Sequence, residues 1–262
     1  MQKYKIVLET KEKIENIHLL SKGLNKQVVS WFAKNNEKIA EIIKPENGLK
    51  PVSIDFLKQK KENIFEFEIK IAQDNNLLDK ELKKNLDEFE DLIDLNYKKF
   101  ILVGYKKEDS ISIKELFEKT PDFYSDIEFN FLTETSFVRR GINNEESLGE
   151  YPFPDPAKIF ESIINKYNTF SEIKMDKNEA LDYVNKYFFI KEANIKVNTF
   201  SLGYSNKKNT TVTGFTGNLI LGKKTKDINI SKMIAFLAKY GEWAGVGKKT
   251  FFGMGSNEVN FI

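Results

Sequence analysis

Residues 212–262 read VTGFTGNLILGKKTKDINISKMIAFLAKYGEWAGVGKKTFFGMGSNEVNFI. Val212–Leu221 has the look of a strand. Ile230, Met233, Ile234, Leu237 and Tyr240 then recur three and four apart, which predicts an amphipathic helix capped by Ser231 or Asn229. A glycine-rich loop, residues 241–255, and a short strand-like tail, NEVNFI, complete the segment. The loop holds five glycines, two adjacent lysines and two phenylalanines. Its two G-x-G units, Gly245/Gly247 and Gly253/Gly255, bracket Lys248 and Lys249. Glycine without a Cβ lets backbone amides turn toward an anion, and the lysine pair adds charge where a phosphate would sit. Contact with a phosphodiester backbone is the reading these residues favour; a flexible C-terminal turn is the alternative.

Upstream, the same order of elements unfolds twice. Tyr4–Glu9 alternates as a strand. Leu20, Leu24, Val28 and Phe32, continued by Ile39 and Ile43, predict one helix. Pro51–Phe56 and Phe65–Ile71 are strand-like, Leu78, Leu82, Leu86, Phe89 and Ile93 predict a second helix, and Phe100–Tyr105 a further strand. In the second half, Ile127, Phe129 and Phe131 alternate. Pro154-Asp155-Pro156 opens a helix bearing Ile159, Phe160, Ile163, Ile164 and Tyr167, since proline suits a first helical turn. Asn178–Phe188 is a helical insertion, and Ile195–Phe200 precedes the segment quoted above. Both halves are β-α-β-β-α-β. The predicted class is α+β: two tandem ferredoxin-like (RRM-like) domains with a C-terminal glycine-rich loop. We place them at residues 1–115 and 116–262, joined within Glu108–Phe123.

Composition narrows the chemistry. The 262 residues are 40% hydrophobic with 22 phenylalanines, enough for buried cores rather than disorder. No cysteine is present, which excludes disulfides and thiol catalysis, and the single histidine, His18, argues against a histidine metal cluster. We expect no cofactor and no metal. No signal core or membrane-length apolar run is present, so a soluble cytoplasmic protein without membrane contact is expected. The net charge of +2 conceals an asymmetry. From Asp74 to Asp94 there are eight acids against three lysines; from Gly203 to Ile262, nine lysines against three acids. Of 41 basic residues only two are arginine, and they are adjacent: Arg139 and Arg140. Arginine's planar fork grips phosphate or stacks on bases as lysine cannot, which points to RNA; a structural carboxylate clamp is the alternative.

Five segments in order resemble one family. GVGKKTFFGMG is similar to its C-terminal signature, and GFTGNLIL (Gly214–Leu221) to the strand before its last helix. FLTETSFVRRG (Phe131–Gly141) resembles its F-x-T-P-T-x-F-x-R segment, with Glu134 at the usual proline. YPFPDPAKIFESIINKYNTF (Tyr151–Phe170) resembles its P-x-P helix entry, and GLKPVSIDFL (Gly48–Leu57) its K-P-F-T-x-S-x-L strand. The family is the CRISPR-associated endoribonucleases of the RAMP superfamily, the Cas-six branch, which cut precursor CRISPR RNA. The resemblance implies metal-free cleavage in which the ribose 2′-hydroxyl upstream of the scissile bond attacks phosphorus. The products would be a 2′,3′-cyclic phosphate and a 5′-hydroxyl. It implies repeat RNA, as precursor and mature CRISPR RNA, as the partner, together with subunits of a CRISPR effector complex, in a monomer or homodimer.

Such chemistry needs a base, an acid and cations around the phosphoryl group. The histidine common in the family falls at Lys44 here, and a frequent family lysine at Lys50. Two accounts stay open: Lys44 with Lys50, acting electrostatically or through a lysine of lowered pKa, or His18 at the entry to the first helix. A non-catalytic repeat-RNA-binding subunit, or a cleavage-dead paralogue, is the competing function.

Overall fold

The computed structural model describes residues 1–34, 36–43, 48–55, 57–74, 76–89, 92–122, 124–140, 147–205, 208–225 and 227–262. The strand β1 (Gln2–Glu9) buries Tyr4, Ile6 and Leu8, the inward positions of a period-two pattern. After a 3-10 turn at Ile17–Leu20, α1 (Ser21–Ala33) packs Leu24, Val28 and Phe32 on the sheet. The single helix expected through Ile43 is instead two. A separate α2 (Glu37–Ile43) begins anew where the Asn36 side chain accepts the Ile39 N–H at 3.3 Å. Asparagine competes for nearby backbone amides and so favours a helix start over a helix interior.

Next come β2 (Val52–Ile54), β3 (Lys58–Gln59), β4 (Ile64–Ile71) and α3 (Asn76–Asp87). Ile93, expected on that helix, belongs to β5 (Ile93–Leu95) and pairs with Phe100 of β6 (Lys98–Ser110). The apolar spacing suited either element; Asn96 and Tyr97, both at positive φ, make the tight turn that settled it. The first sheet runs β2-β4-β1-β6-β5, with β3 also on β4. The segment expected only to join the halves contains α4 (Ile113–Lys119), capped by Ser112 and spanning positions 115 and 116.

In the second half β7 (Asp126–Thr135) is followed by a hairpin absent from the sequence reading, β8 (Phe137–Arg140) and β9 (Ser147–Tyr151). The helix α5 (Pro156–Phe170) starts as predicted, Asp155 accepting the amides of Ala157 and Lys158. Then α6 (Lys177–Tyr187) leads into a hairpin much longer than expected, β10 (Phe188–Ser205) and β11 (Lys208–Lys223). The last helix, α7 (Ile228–Ala244), is capped by Asp227, not by Asn229 or Ser231: Asp227 Oδ1 accepts the Ile230 N–H at 3.2 Å, while Ser231 is buried inside the helix. A cap of this kind contributes about 1 kcal/mol. A 3-10 turn, Thr250–Phe252, precedes β12 (Asn257–Phe261). The second sheet runs β10-β11-β7-β12. In both sheets the first strand lies between the third and the fourth, the ferredoxin-like order repeated.

Each sheet has its own core, and each core borrows from the other half. Phe251, near the C-terminus, joins the core of the first sheet, whereas Met1 and Ala72 join that of the second. The Ser53 hydroxyl donates to Trp243 O at 2.9 Å and the Tyr240 hydroxyl to Ala72 O at 2.7 Å. Lys70, which alternation would leave in solvent, is buried between Asp55 (3.3 Å) and the Ser256 hydroxyl (3.3 Å) because the C-terminal segment crosses it. Among the described residues no helix is long and apolar enough to cross a membrane.

Candidate nucleic-acid interface

The glycine loop sits where the halves meet, and its shape is dictated from within. Gly245, Gly247, Gly253 and Gly255 all have positive φ, between 68° and 92°. A Cβ on Gly247 would lie 2.4 Å from Ser136 O, and one on Gly255 only 2.0 Å from Val246 O. The amides of Gly247, Gly255 and Lys248 are also occupied. Gly247 N–H donates to the Ser162 hydroxyl at 2.8 Å, Gly255 N–H to Glu134 O at 3.0 Å, and Lys248 N–H to Ser136 O at 2.9 Å. Gly245, Gly253 and Gly255 are buried. These glycines serve close packing of the loop against its own chain, so the surface it offers to an anion narrows to the half-buried stretch 247–249.

That stretch carries Lys248 and Lys249, and both are matched by Glu150 of β9, at 2.8 and 3.7 Å. Burial pushes the Glu150 carboxyl up. The Lys248 hydrogen bond, the Thr213 amide and the charges of both lysines outweigh it and hold the group below the usual carboxylate range. Burial, then the neighbouring Lys248, lowers Lys249, against the pull of Glu150. Glu150 went unremarked in the sequence because its role depends on a hairpin that alternation alone did not reveal.

Beneath the loop lies a second unpredicted residue. Lys166, on an α5 face otherwise apolar, is 3% exposed. Its Nζ donates to Ala244 O (2.9 Å), Gly245 O (2.8 Å) and the Thr250 hydroxyl (3.3 Å). Carbonyls at a helix C-terminus have no intrahelical partner and favour a cation, so this amine ties the end of α7 to the loop. Burial pushes its pKa down to about 7 from an ordinary 10.5. Between these values the unfolded chain holds more protons than the folded one, so folding stability should rise as pH climbs through that window. Urea midpoints measured across it should climb for wild type more steeply than for Lys166→Met; parallel profiles would show that Lys166 does not titrate there.

On the first half, α1 lies against the loop: Asn25 Nδ2 donates to Phe251 O at 2.9 Å. Lys50 sets its Nζ 4.7 Å from the Phe251 ring. The charge of Lys22 reaches Lys249, and Lys26 stands one turn beyond Lys22 on the same helix, its charge felt there. His18, just ahead of α1, meets Phe200 of β10 at a tilt of 42°, with ring centroids 4.7 Å apart. Arg139 is exposed on β8, in the hairpin whose partner strand supplies Glu150. Arg140 pairs by its backbone with Ser147 in the same hairpin. The fold thus gathers Lys50, Lys248 and Lys249 at the loop, with His18 at the head of the adjoining helix; Lys44 lies outside the described residues. Lys22 and Lys26 escaped the sequence reading, being two lysines among many on a helix.

Known proteins share this fold. The model of the family described as CRISPR-associated endoribonuclease Cas6 matches residues 129–257. A comparison with curated proteins finds no match. Among solved structures, a product complex of the Thermus thermophilus Cas6 TTHB231 is similar over 99% of this chain and 98% of that one, at a TM-score of 0.79 and 18% identity. A Cas6-related protein from Pyrococcus furiosus covers 99% and 98% at 0.66 and 14%. One described as a RAMP protein binding different RNA substrates covers 99% and 100% at 0.66 and 10%. At such identities these likenesses speak for the fold, which they share from end to end. The Cas6 family model thus matches the segment from β7 through the glycine loop, and the double ferredoxin-like fold is shared with Cas6 structures over the whole chain, which makes this chain similar to the Cas6 family.

Proposed function

We propose that this protein is a metal-independent endoribonuclease that cuts CRISPR precursor RNA within its repeats by attack of the 2′-hydroxyl, leaving 2′,3′-cyclic phosphate and 5′-hydroxyl ends. The observation that carries the proposal is the convergence of Lys22, Lys50, Lys248 and Lys249 on one loop at the junction of the halves, with His18 at the start of the adjoining helix. A phosphorane-like transition state gathers negative charge, and fixed cations in a half-buried site stabilise it more than water does. In this reading Lys50 and Lys44 stabilise that charge, with proton transfer falling to Lys44 or to His18. Arg139 and Arg140 hold the repeat, and effector subunits receive the product. Incubating the protein with its repeat RNA in excess EDTA tests the proposal: a single cut with a cyclic phosphate end is expected. Tight binding without cleavage would favour the non-catalytic binding subunit, a reading to which the packing of His18 against Phe200 lends weight.

Lys248 and Lys249 offer a sharper test of the interface. Glu150 holds them when no RNA is present, so a phosphate must displace one carboxylate rather than find two bare cations. Replacing both lysines by alanine should weaken RNA binding several-fold and reduce the slope of log affinity against log salt by about one to two. An unchanged slope in a filter-binding titration would remove the loop from the RNA surface.

A further inference from the structure

The turn between β5 and β6 is built around a residue that does not suit it. Leu95 pairs with Lys98, leaving a two-residue loop, Asn96-Tyr97, with φ of 54° and 72°. Two-residue hairpins with both central residues at positive φ prefer Asn-Gly, because the second position admits a side chain only with strain. Asparagine fits the first position. Tyrosine at the second is an outlier for a bulky residue. The ring gains no burial in return: Tyr97 is 93% exposed. The turn is otherwise well made, with Asp94 Oδ1 accepting the Tyr97 N–H at 2.7 Å and Asn96 Nδ2 donating to Leu19 O. Glycine would serve it better. A strained, solvent-facing aromatic ring that contributes nothing to a core calls for a role outside the fold.

Its surroundings indicate which. Tyr97 stands on the wall of a cleft of about 850 Å³ with Lys13, Asn16, Gly23, Lys26 and Lys98. That volume admits a nucleobase and its sugar. Gly23 lets α1 approach the turn closely, since a Cβ there would lie 2.7 Å from the Cα of Leu95. Lys26 places the cleft on the helix that adjoins the glycine loop, so the cations Lys249, Lys22 and Lys26 lead from one to the other. Single-stranded nucleic acid is held by this combination of backbone-tracking cations and aromatic faces on which bases stack.

We infer that Tyr97 is a base-stacking platform, and that the cleft between the β5–β6 turn and the start of α1 holds one unpaired nucleotide of the bound RNA. The inference rests on the RNA-binding reading above. It is tested on the full chain with a CRISPR repeat RNA from the same genome, carrying 2-aminopurine at successive unpaired positions, and with wild type, Tyr97→Gly and Tyr97→Phe. Tyr97→Gly should unfold at an equal or higher urea concentration, because strain is relieved. It should also bind about tenfold more weakly and lose the 2-aminopurine quenching that wild type shows at one position. Tyr97→Phe keeps the ring and should match wild type in affinity and quenching. Equal affinity and quenching in all three proteins would overturn the platform while leaving the RNA reading intact. A fall in the urea midpoint of Tyr97→Gly would assign the residue to the turn and overturn it likewise. Failure of wild type to bind the repeat at all would sink the RNA reading itself, and the platform with it.

Discussion

A repeat RNA with a deoxyribose immediately upstream of the scissile phosphate is expected to bind with wild-type affinity and not to be cut at all. The 2′-oxygen is the proposed nucleophile, so its removal leaves no attacking atom, whereas the phosphates that meet the glycine loop and its lysines are untouched. No protein substitution should have an effect this large, because positioned acids and bases each contribute about 10²–10⁴-fold. Protein variants then divide the remaining chemistry. Lys44→Ala is expected to slow single-turnover cleavage by about a hundredfold and to change affinity much less. His18→Ala is the rival measurement: a loss confined to that variant would transfer the proton to His18 and take it from Lys44. Continued cutting of the deoxy substrate would overturn the 2′-hydroxyl mechanism outright.

The second large effect belongs to the loop. Gly255→Ala should cost roughly 3 kcal/mol of folding stability, combining positive-φ strain with overpacking. Its φ is 74°, and the new Cβ would fall 2.0 Å from Val246 O, the backbone of the same loop. Relief requires moving the loop segment of residues 245–247, which Lys166 anchors through Gly245 O. Gly149 provides the control: φ is 102° there but a Cβ meets nothing within 4 Å, so its alanine variant should lose about a third as much. Urea midpoints of the two variants make the comparison. Equal losses would mean that backbone conformation, and not close approach, accounts for the glycines.

This changes what the glycines mean. Read along the chain, two G-x-G units around a lysine pair suggested amides turned toward a phosphate. In three dimensions the amides of Gly247 and Gly255 are spent on Ser162 and Glu134. In the proposed interface anion contact would therefore fall to the lysine side chains, and these are paired with Glu150. Glycine's freedom from a Cβ serves a turn, a close approach or a ligand equally well, and only the neighbours distinguish them.

Local periodicity was enough to determine the double β-α-β-β-α-β order, the inward apolar positions of β1, β4 and β7, the Pro-Asp-Pro start of α5 and the basic character of the C-terminal loop. Such features depend on residues close in sequence, where alternation, caps and turn chemistry act directly. Asn36 and the Asn96-Tyr97 turn set the break between α1 and α2 and the hairpin β5–β6, whereas the hairpin β8–β9 and the length of β10 and β11 were decided by strand pairing, which overrides an ambiguous apolar spacing. Tertiary structure also decided the partners that define the site. Glu150 meets Lys248 from 98 positions away, and Lys166 meets Ala244 from 78. Lysine in solvent and lysine buried against a helix end are the same letter; burial, which only the folded chain supplies, makes one a solvated charge and the other a clamp.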